Sequence, residues 1–289
     1  MAQTLVARTE SPTFFRELCP ALELRGVAAP PVHLRSSERD FAEQRRSLVT
    51  EGWMQLEGLL EPSALPPLVG CIEALVSAGV PAIYAFVYDA FWGLARDVAQ
   101  LLTLRLGVRY EALLDFWVWH VPPSSRIGGW PRHRDFHKRV VREADSLPGR
   151  INVWLALTDA PLDHACIHVV PLPSDPNYPH ALERYDATES RALPATAGTA
   201  LAWDANVLHW GGAANPHAPS ARISFAVTFE RPGYGEETVD FGRTFSFSDR
   251  IDVIANQIVA YERYVPELPV ELRDWARALV GLRRRFKGG

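Results

Sequence analysis

Cysteine is scarce in this chain. Cys19, Cys71 and Cys166 are odd in number, widely spaced and form no Cys-x-x-Cys pair. That excludes a disulfide framework and a zinc ribbon, and suits a reducing compartment. No run of about 18 uncharged apolar residues occurs, so no membrane-spanning helix is expected. The opening MAQTLVARTESPTFFREL is charged and lacks an apolar signal-peptide core. Both absences set the cytoplasm as the expectation. A basic excess is also missing: 30 Lys and Arg face 34 Asp and Glu, a net charge of −4. Nucleic-acid-binding chains usually carry a strong basic bias, so a small molecule is the expected partner. There is no internal repeat and no low-complexity segment.

What is present is ordinary for a globular protein: 47% hydrophobic and 22% charged among 289 residues, enough chain to bury a sizeable core. Nine tryptophans are many for this length; they can line apolar pockets or simply fill the core. Residues 1–38 read as an N-terminal extension with one short helix near SPTFFREL. Residues 39–51 look helical, GWMQLEGLL reads as a strand, and EPSALPPLVGCIEALVSAG as an amphipathic helix with Pro near its start and Gly79 just past its end. Residues 84–106 are expected to be helical. The pattern then changes. DFWVWHV, RINVWLALTD, ACIHVVPL, GTALAWD and ARISFAVTFE are β-branched and aromatic, broken by Pro, Gly, Asp or Asn. Short strands at that spacing predict an antiparallel sandwich or barrel. Helical periodicity returns after residue 249. The expected organisation is one mainly β domain over 39–235, with a helical segment, 236–289, packing on it. The RRRFK run suits a helix C-terminus, where cations meet the macrodipole.

The stretch GGWPRHRDFHKR places His133, Asp135 and His137 at alternate positions. On a strand, residues i and i+2 share a face, so His133 and Asp135 can converge on one ion. The best third ligand is His209, at a strand end before a Gly pair. Two His and one carboxylate leave open positions on an octahedral ion, which suits non-heme Fe(II). Arg222 and Ser224 lie on the next strand and share a face. A guanidinium can hold a carboxylate through two parallel bonds, and the Ser hydroxyl can add another. Apolar neighbours Ile223 and Phe225 would make an unpaired Arg222 costly there, so an anionic partner is expected.

Four stretches carry a resemblance. EGWMQLEGLLEPSALPPL, HVPPSSRIGGWPRHRDFH, NVWLALTDAPLDHACIHVVP and GTALAWDANVLHWGGAANPHAPSARISFA resemble the phytanoyl-CoA dioxygenase family of Fe(II)/2-oxoglutarate-dependent oxygenases. The resemblance covers the segment from about 43 to 230. The resemblance implies a double-stranded β-helix (jelly-roll, cupin-like) core with flanking helices. It implies Fe(II) held by His133, Asp135 and His209, and 2-oxoglutarate held through its far carboxylate by Arg222 with Ser224, with O2 as the other co-substrate. Several positions depart from the family pattern. Gly211 stands where Ser is frequent, Val121 where Lys often precedes the Pro pair, PLPSD replaces Pro-Gly-Ser-His, and the distance from His209 to Arg222 is a little long. Halogenating relatives have a small residue at the carboxylate position. Asp135 therefore implies hydroxylation, or desaturation or cyclisation by the same chemistry.

Around this core several readings stay open. His137 is a pocket residue or a solvated side chain beside Lys138 and Arg139. Asn152 contacts 2-oxoglutarate or an iron-bound water, or is a capping or core amide. Trp117 and Trp119 line the substrate pocket, or at least one packs the core. Phe136 and Trp210 flank the ligands and are candidate substrate contacts. His120, His164 and His168 are expected to be structural or solvent-facing. Gly128 and Gly129 form a candidate lid hinge. The expected activity is hydroxylation of an unactivated C–H in a small to medium-sized, partly apolar metabolite; the motif loops would suit natural-product biosynthesis. A non-catalytic metal-binding jelly roll is the alternative from another class. A zinc hydrolase would leave Arg222 and Ser224 without a role.

Overall fold

The computed structural model describes residues 4–26, 34, 38–125, 130–135, 142, 145–187, 189–234, 238–241 and 243–287, without the side chains of 38–40 and 282–287. The chain divides into two compact units. One comprises Met1–Pro31, Pro67–Arg96 and Asp240–Gly289; the other comprises Val32–Pro66 and Asp97–Val239.

The first unit is helical. Its elements include α1 (Leu5–Thr9), α2 (Pro12–Leu18), most of α4 (Leu65–Ser77), the start of α5 (Asp89–Leu106), α6 (Phe247–Tyr261) and α7 (Val270–Lys287). Residues 82–87, expected to be part of one long helix, form a separate 3-10 turn in which every side chain is buried. The N-terminal residues, expected as an extension, join this unit through Phe15. Its ring is fully buried against Tyr84, Tyr88 and Phe247. Asp89, in the first turn of α5, sits where a helix dipole favours an anion. It takes Nη1 of Arg250 at 2.6 Å and the backbone N–H groups of Arg25 and Gly26. A buried ion pair with these added hydrogen bonds has its desolvation offset.

The second unit carries the sheets. A six-stranded antiparallel sheet has the order β1-β6-β3-β8-β2-β9: Trp53–Leu56, Ala200–Asp204, Arg150–Ala156, Arg222–Glu230, Glu111–Val121 and Thr238–Val239. A three-stranded antiparallel sheet has the order β5-β4-β7: Arg191–Leu193, Ile167–Val169 and His209–Gly211. Trp154, Ala156, Leu201 and Trp203 of the large sheet form one core cluster with Ile167, Val169 and Leu193 of the small one. This is the expected antiparallel sandwich with a jelly-roll core; among the described residues the strands do not close a barrel. Helix α3 (Glu38–Thr50) packs along β1, burying Phe41 and Leu48. The strands β5, β7 and β9, each of two or three residues, were not expected as strands.

Strand β8 explains why the site sits here. All of it except Ala226 is buried. Ile223, Phe225, Val227 and Phe229 alternate with Arg222, Ser224, Ala226 and Thr228, so one face is apolar and the other largely polar. A polar row buried on a central strand must find partners. Thr228 donates to Asp115 at 3.0 Å, and Glu230 pairs with Arg150. Arg222 and Ser224 meet each other.

Gly52 leads into β1 with φ +86°, and a Cβ there would lie 2.6 Å from Val207 Cγ2 and 2.7 Å from Leu172 Cγ. Left-handed backbone and clash act together. Gly52→Ala is expected to lower stability by about 1–3 kcal/mol, read as a lower urea midpoint with unchanged slope.

Candidate active site

The three expected ligands converge. His133 and His209 form an antiparallel bridge, with His133 N donating to His209 O and His209 N to His133 O, each at 2.9 Å. Backbone pairing therefore sets the distance between the two imidazoles, whose ring centroids are 4.2 Å apart. Asp135, two residues past His133, brings Oδ1 to 3.3 Å from His133 Nε2 and 3.5 Å from His209 Nε2. One ligand atom from each residue lies within 4.8 Å of the others.

The hydrogen bonds on the far side of each ring fix the tautomers. His133 Nδ1 lies 2.6 Å from Pro131 O and His209 Nδ1 lies 3.0 Å from Val207 O. A carbonyl oxygen can only accept, so each Nδ1 carries the proton and each Nε2 presents a lone pair. Burial, foremost, lowers the His209 pKa to about 4, against the pull of Asp135. Burial pushes Asp135 upward, but His209, His133 and the Asn152 amide outweigh it and hold the carboxyl well below the usual range. With each Nδ1 turned to a carbonyl, both Nε2 atoms and Asp135 Oδ1 face one point. Two imidazoles and a carboxylate so placed fit a divalent metal.

Around the triad lie Asn152, singled out in the sequence, and Trp203 and Arg134, which were not. Asp135 Oδ2 accepts from Asn152 Nδ2 and from Trp203 Nε1, both at 2.9 Å. The Asn152 amide therefore sits on the metal-facing carboxylate. Arg134, between the two ligands, is fully buried. Its Nη1 donates to Asp175 Oδ2 at 2.7 Å and Asn206 O at 2.6 Å, Nε to Leu182 O at 2.9 Å, and Nη2 to Arg184 O at 3.1 Å. Asp175 Oδ1 accepts from Asn177 N, so this buried pair is well satisfied.

Arg222 stands apart in its chemistry. It is 2% exposed, and its Nη1 donates to Ser224 Oγ at 2.6 Å. Its Nε has no hydrogen-bond partner, and among the described residues no carboxylate pairs with it. The guanidinium lies 5.6 Å from the Trp154 ring centroid. Burial lowers its pKa to about 10, so it remains a cation at neutral pH. A desolvated cation with free donors is a standing demand for an anion.

The aromatic candidates separate. Trp117 and Trp119 lie opposite Ala226 and Ser224 and share their face. Trp119 meets Trp130 edge-on at 5.3 Å, and Trp130 lies 5.3 Å from the His133 ring. Trp130 thus extends an indole row up to the triad. Trp210 follows His209 on β7 and so points to the opposite face. There it stacks on His168 at 5.3 Å and lies under Arg132. That position is away from the face carrying His209, so Trp210 is not brought to the triad with the other candidates. His120 lies on the other face of β2 from Trp119, opposite Ile223. His164 Nδ1 accepts from Asn215 N. Phe136, His137, Gly128 and Gly129 fall outside the described residues.

Residues 89–218 match the family model for phytanoyl-CoA dioxygenase (PhyH). No curated protein matches the chain. Among solved structures it is similar to the epimerase SnoN in complex with Fe3+, alpha ketoglutarate and nogalamycin RO, at 16% identity and TM-score 0.53 over 73% of this chain and 97% of that one. It is similar to SnoK, a non-heme alpha ketoglutarate-dependent carbocyclase from nogalamycin biosynthesis, at 16% identity and TM-score 0.53 over 74% and 97%. It is also similar to HygX from Streptomyces hygroscopicus with nickel and 2-oxoglutarate bound, at 13% identity and TM-score 0.50 over 67% and 88%. At these identities the likeness is one of fold. The family match covers His133, Asp135 and His209, so the segment 89–218 is similar to the phytanoyl-CoA dioxygenase family at the residues that form the triad.

Proposed function

We propose that the protein hydroxylates an unactivated C–H bond of a small to medium-sized, partly apolar metabolite. His133, Asp135 and His209 would hold Fe(II), and Arg222 with Ser224 would hold the far carboxylate of 2-oxoglutarate. The observation that carries this reading is Arg222: a buried cation with an unpartnered Nε, on the inner face of the large sheet. Bound iron would supply activation of O2, with 2-oxoglutarate and substrate oxidised together to succinate, CO2 and the hydroxylated product. The chain's own groups do the rest. The Pro131 and Val207 carbonyls keep both Nε2 atoms available. Ser224 orients the guanidinium. Trp117, Trp119 and Trp130 offer an apolar wall beside His133. SnoN and SnoK are described as an epimerase and a carbocyclase, so product analysis must separate hydroxylation from cyclisation or desaturation.

Among the described residues no helix is long and apolar enough to cross a membrane, and all three cysteines are free and buried. The test is synergy. Ni(II) with 2-oxoglutarate is expected to raise the melting temperature by more than the sum of the two alone, because only the metal completes the co-substrate site. With Fe(II) and O2, succinate must form. A protein that binds metal but shows no response to 2-oxoglutarate is a metal-binding scaffold, and the proposal fails.

A further inference from the structure

The triad is held by more than its own loop. Asn152 on β3 and Trp203 on β6 are directly opposite each other across the strand pair. Both send an N–H to the same atom, Asp135 Oδ2, at 2.9 Å. The other oxygen, Oδ1, faces His133 Nε2 and His209 Nε2. We propose that Asn152 and Trp203 are positioning residues, a cross-strand fork that occupies Oδ2 and reserves Oδ1 as the single oxygen Asp135 offers to the metal. The inference rests on the triad reading and adds how the carboxylate is aimed.

The chemistry of the two donors suits that task. An indole N–H can only donate, so Trp203 cannot hold a protonated carboxyl oxygen through its lone pair or turn an acceptor toward the anion. Asn152 could offer its oxygen, but an amide turned that way would set Oδ1 against a carboxylate oxygen. The Asn152 Oδ1 has no described partner, so no competing bond sets the amide's orientation; Asp135 does. Trp203 is 2% exposed and its ring also lies against the His209 imidazole, 4.7 Å between centroids. One side chain thus fixes one ligand by a hydrogen bond and another by contact. Without the fork the carboxylate can rotate and bind through both oxygens. That would take a coordination position the co-substrates need and change the field at the ion.

Two substitutions separate aim from bulk. Trp203→Phe keeps a ring beside His209 and deletes the donor. Asn152→Ala deletes the other donor on a half-buried side chain. Metal-free full-length protein is titrated with Co(II), read by its visible absorption. Each variant is expected to bind Co(II) roughly tenfold more weakly, and the pair together up to roughly a hundredfold, the range typical of groups that orient metal ligands. The shape of the absorption bands should change with the affinity, which loss of packing alone would not produce. In an Asp135→Ala background, adding Trp203→Phe should cost nothing further. If both donor variants bind Co(II) with wild-type affinity and spectrum while Asp135→Ala does not, the fork is refuted and the triad stands. If Asp135→Ala itself binds as the wild type does, the triad reading falls and the fork with it. Should Trp203→Phe fail to fold, Asn152→Ala alone decides.

Discussion

Replacing Arg222 by Met is expected to make the metal-free, co-substrate-free protein more stable and to make it a poor binder of 2-oxoglutarate. The two effects share a cause. In the free protein the guanidinium is 2% exposed, carries a full charge and, among the described residues, bonds only Ser224 Oγ, with Nε unsatisfied. Its interaction with the Trp154 face at 5.6 Å returns only a part of the lost hydration. Apolar replacement of buried charge typically gains about 1–4 kcal/mol, and Met keeps the length of the stem. For a dicarboxylate the same guanidinium offers charge-assisted bonds worth about 1.5–3 kcal/mol, so the KM for 2-oxoglutarate should rise roughly 10- to 150-fold. Arg222→Lys should recover only a part, because an ammonium cannot present the planar fork. The measurement is a pair of melting curves, without ligands and with Ni(II) plus 2-oxoglutarate, beside the KM. A fall in unliganded stability with an unchanged KM would show that Arg222 is a structural residue and remove the main support for the proposed function.

Asp135→Ala and His209→Ala are expected to lower Fe(II)-dependent succinate formation by more than about a hundredfold. Groups that merely orient metal ligands cost about 10- to 100-fold when removed, and a ligand itself should cost more. The two variants should differ in stability. Asp135 leaves the donors of Asn152 and Trp203 without their acceptor, which is destabilising. His209 is 4% exposed and contributes backbone pairing with His133 that alanine can keep. Full turnover in both variants would show that the metal binds elsewhere.

Much of the site was legible because its residues carry unusual chemistry for their places. A His-x-Asp pair is weak by itself, but with a distant His before two glycines it makes a ligand set, and the three residues meet; an Arg within an apolar strand adds a buried cation. The supporting residues were not legible. Trp203 lies in ALAWD, where an indole reads as core filling, and nothing in the chain order says that its N–H reaches across 68 residues. Asn152 was left between a co-substrate contact and a core hydrogen bond, and neither reading named Asp135 as its partner. Arg134 drew no reading from the sequence, since burial of an arginine depends on acceptors at 175, 182, 184 and 206 that are remote in sequence. The short strands β5, β7 and β9 have too few residues to show a period of two. The packing of the N-terminal segment turns on Phe15, one ring whose partners lie about 70 and 230 residues away.

The saturation of Arg134 has a thermodynamic consequence for metal exchange. A ligand loop that orders only around its ion loses conformational entropy on every binding event, and binding then becomes part of folding. Here the peptide between His133 and Asp135 is already tethered through four acceptors on other segments, and the two histidines are joined by a pair of main-chain bonds. The ordering entropy of that tripeptide is therefore lost once, when the chain folds, and chelation by the proposed triad would start from residues already tethered. Exchange of one ion for another of similar size would then cost these residues no fresh ordering.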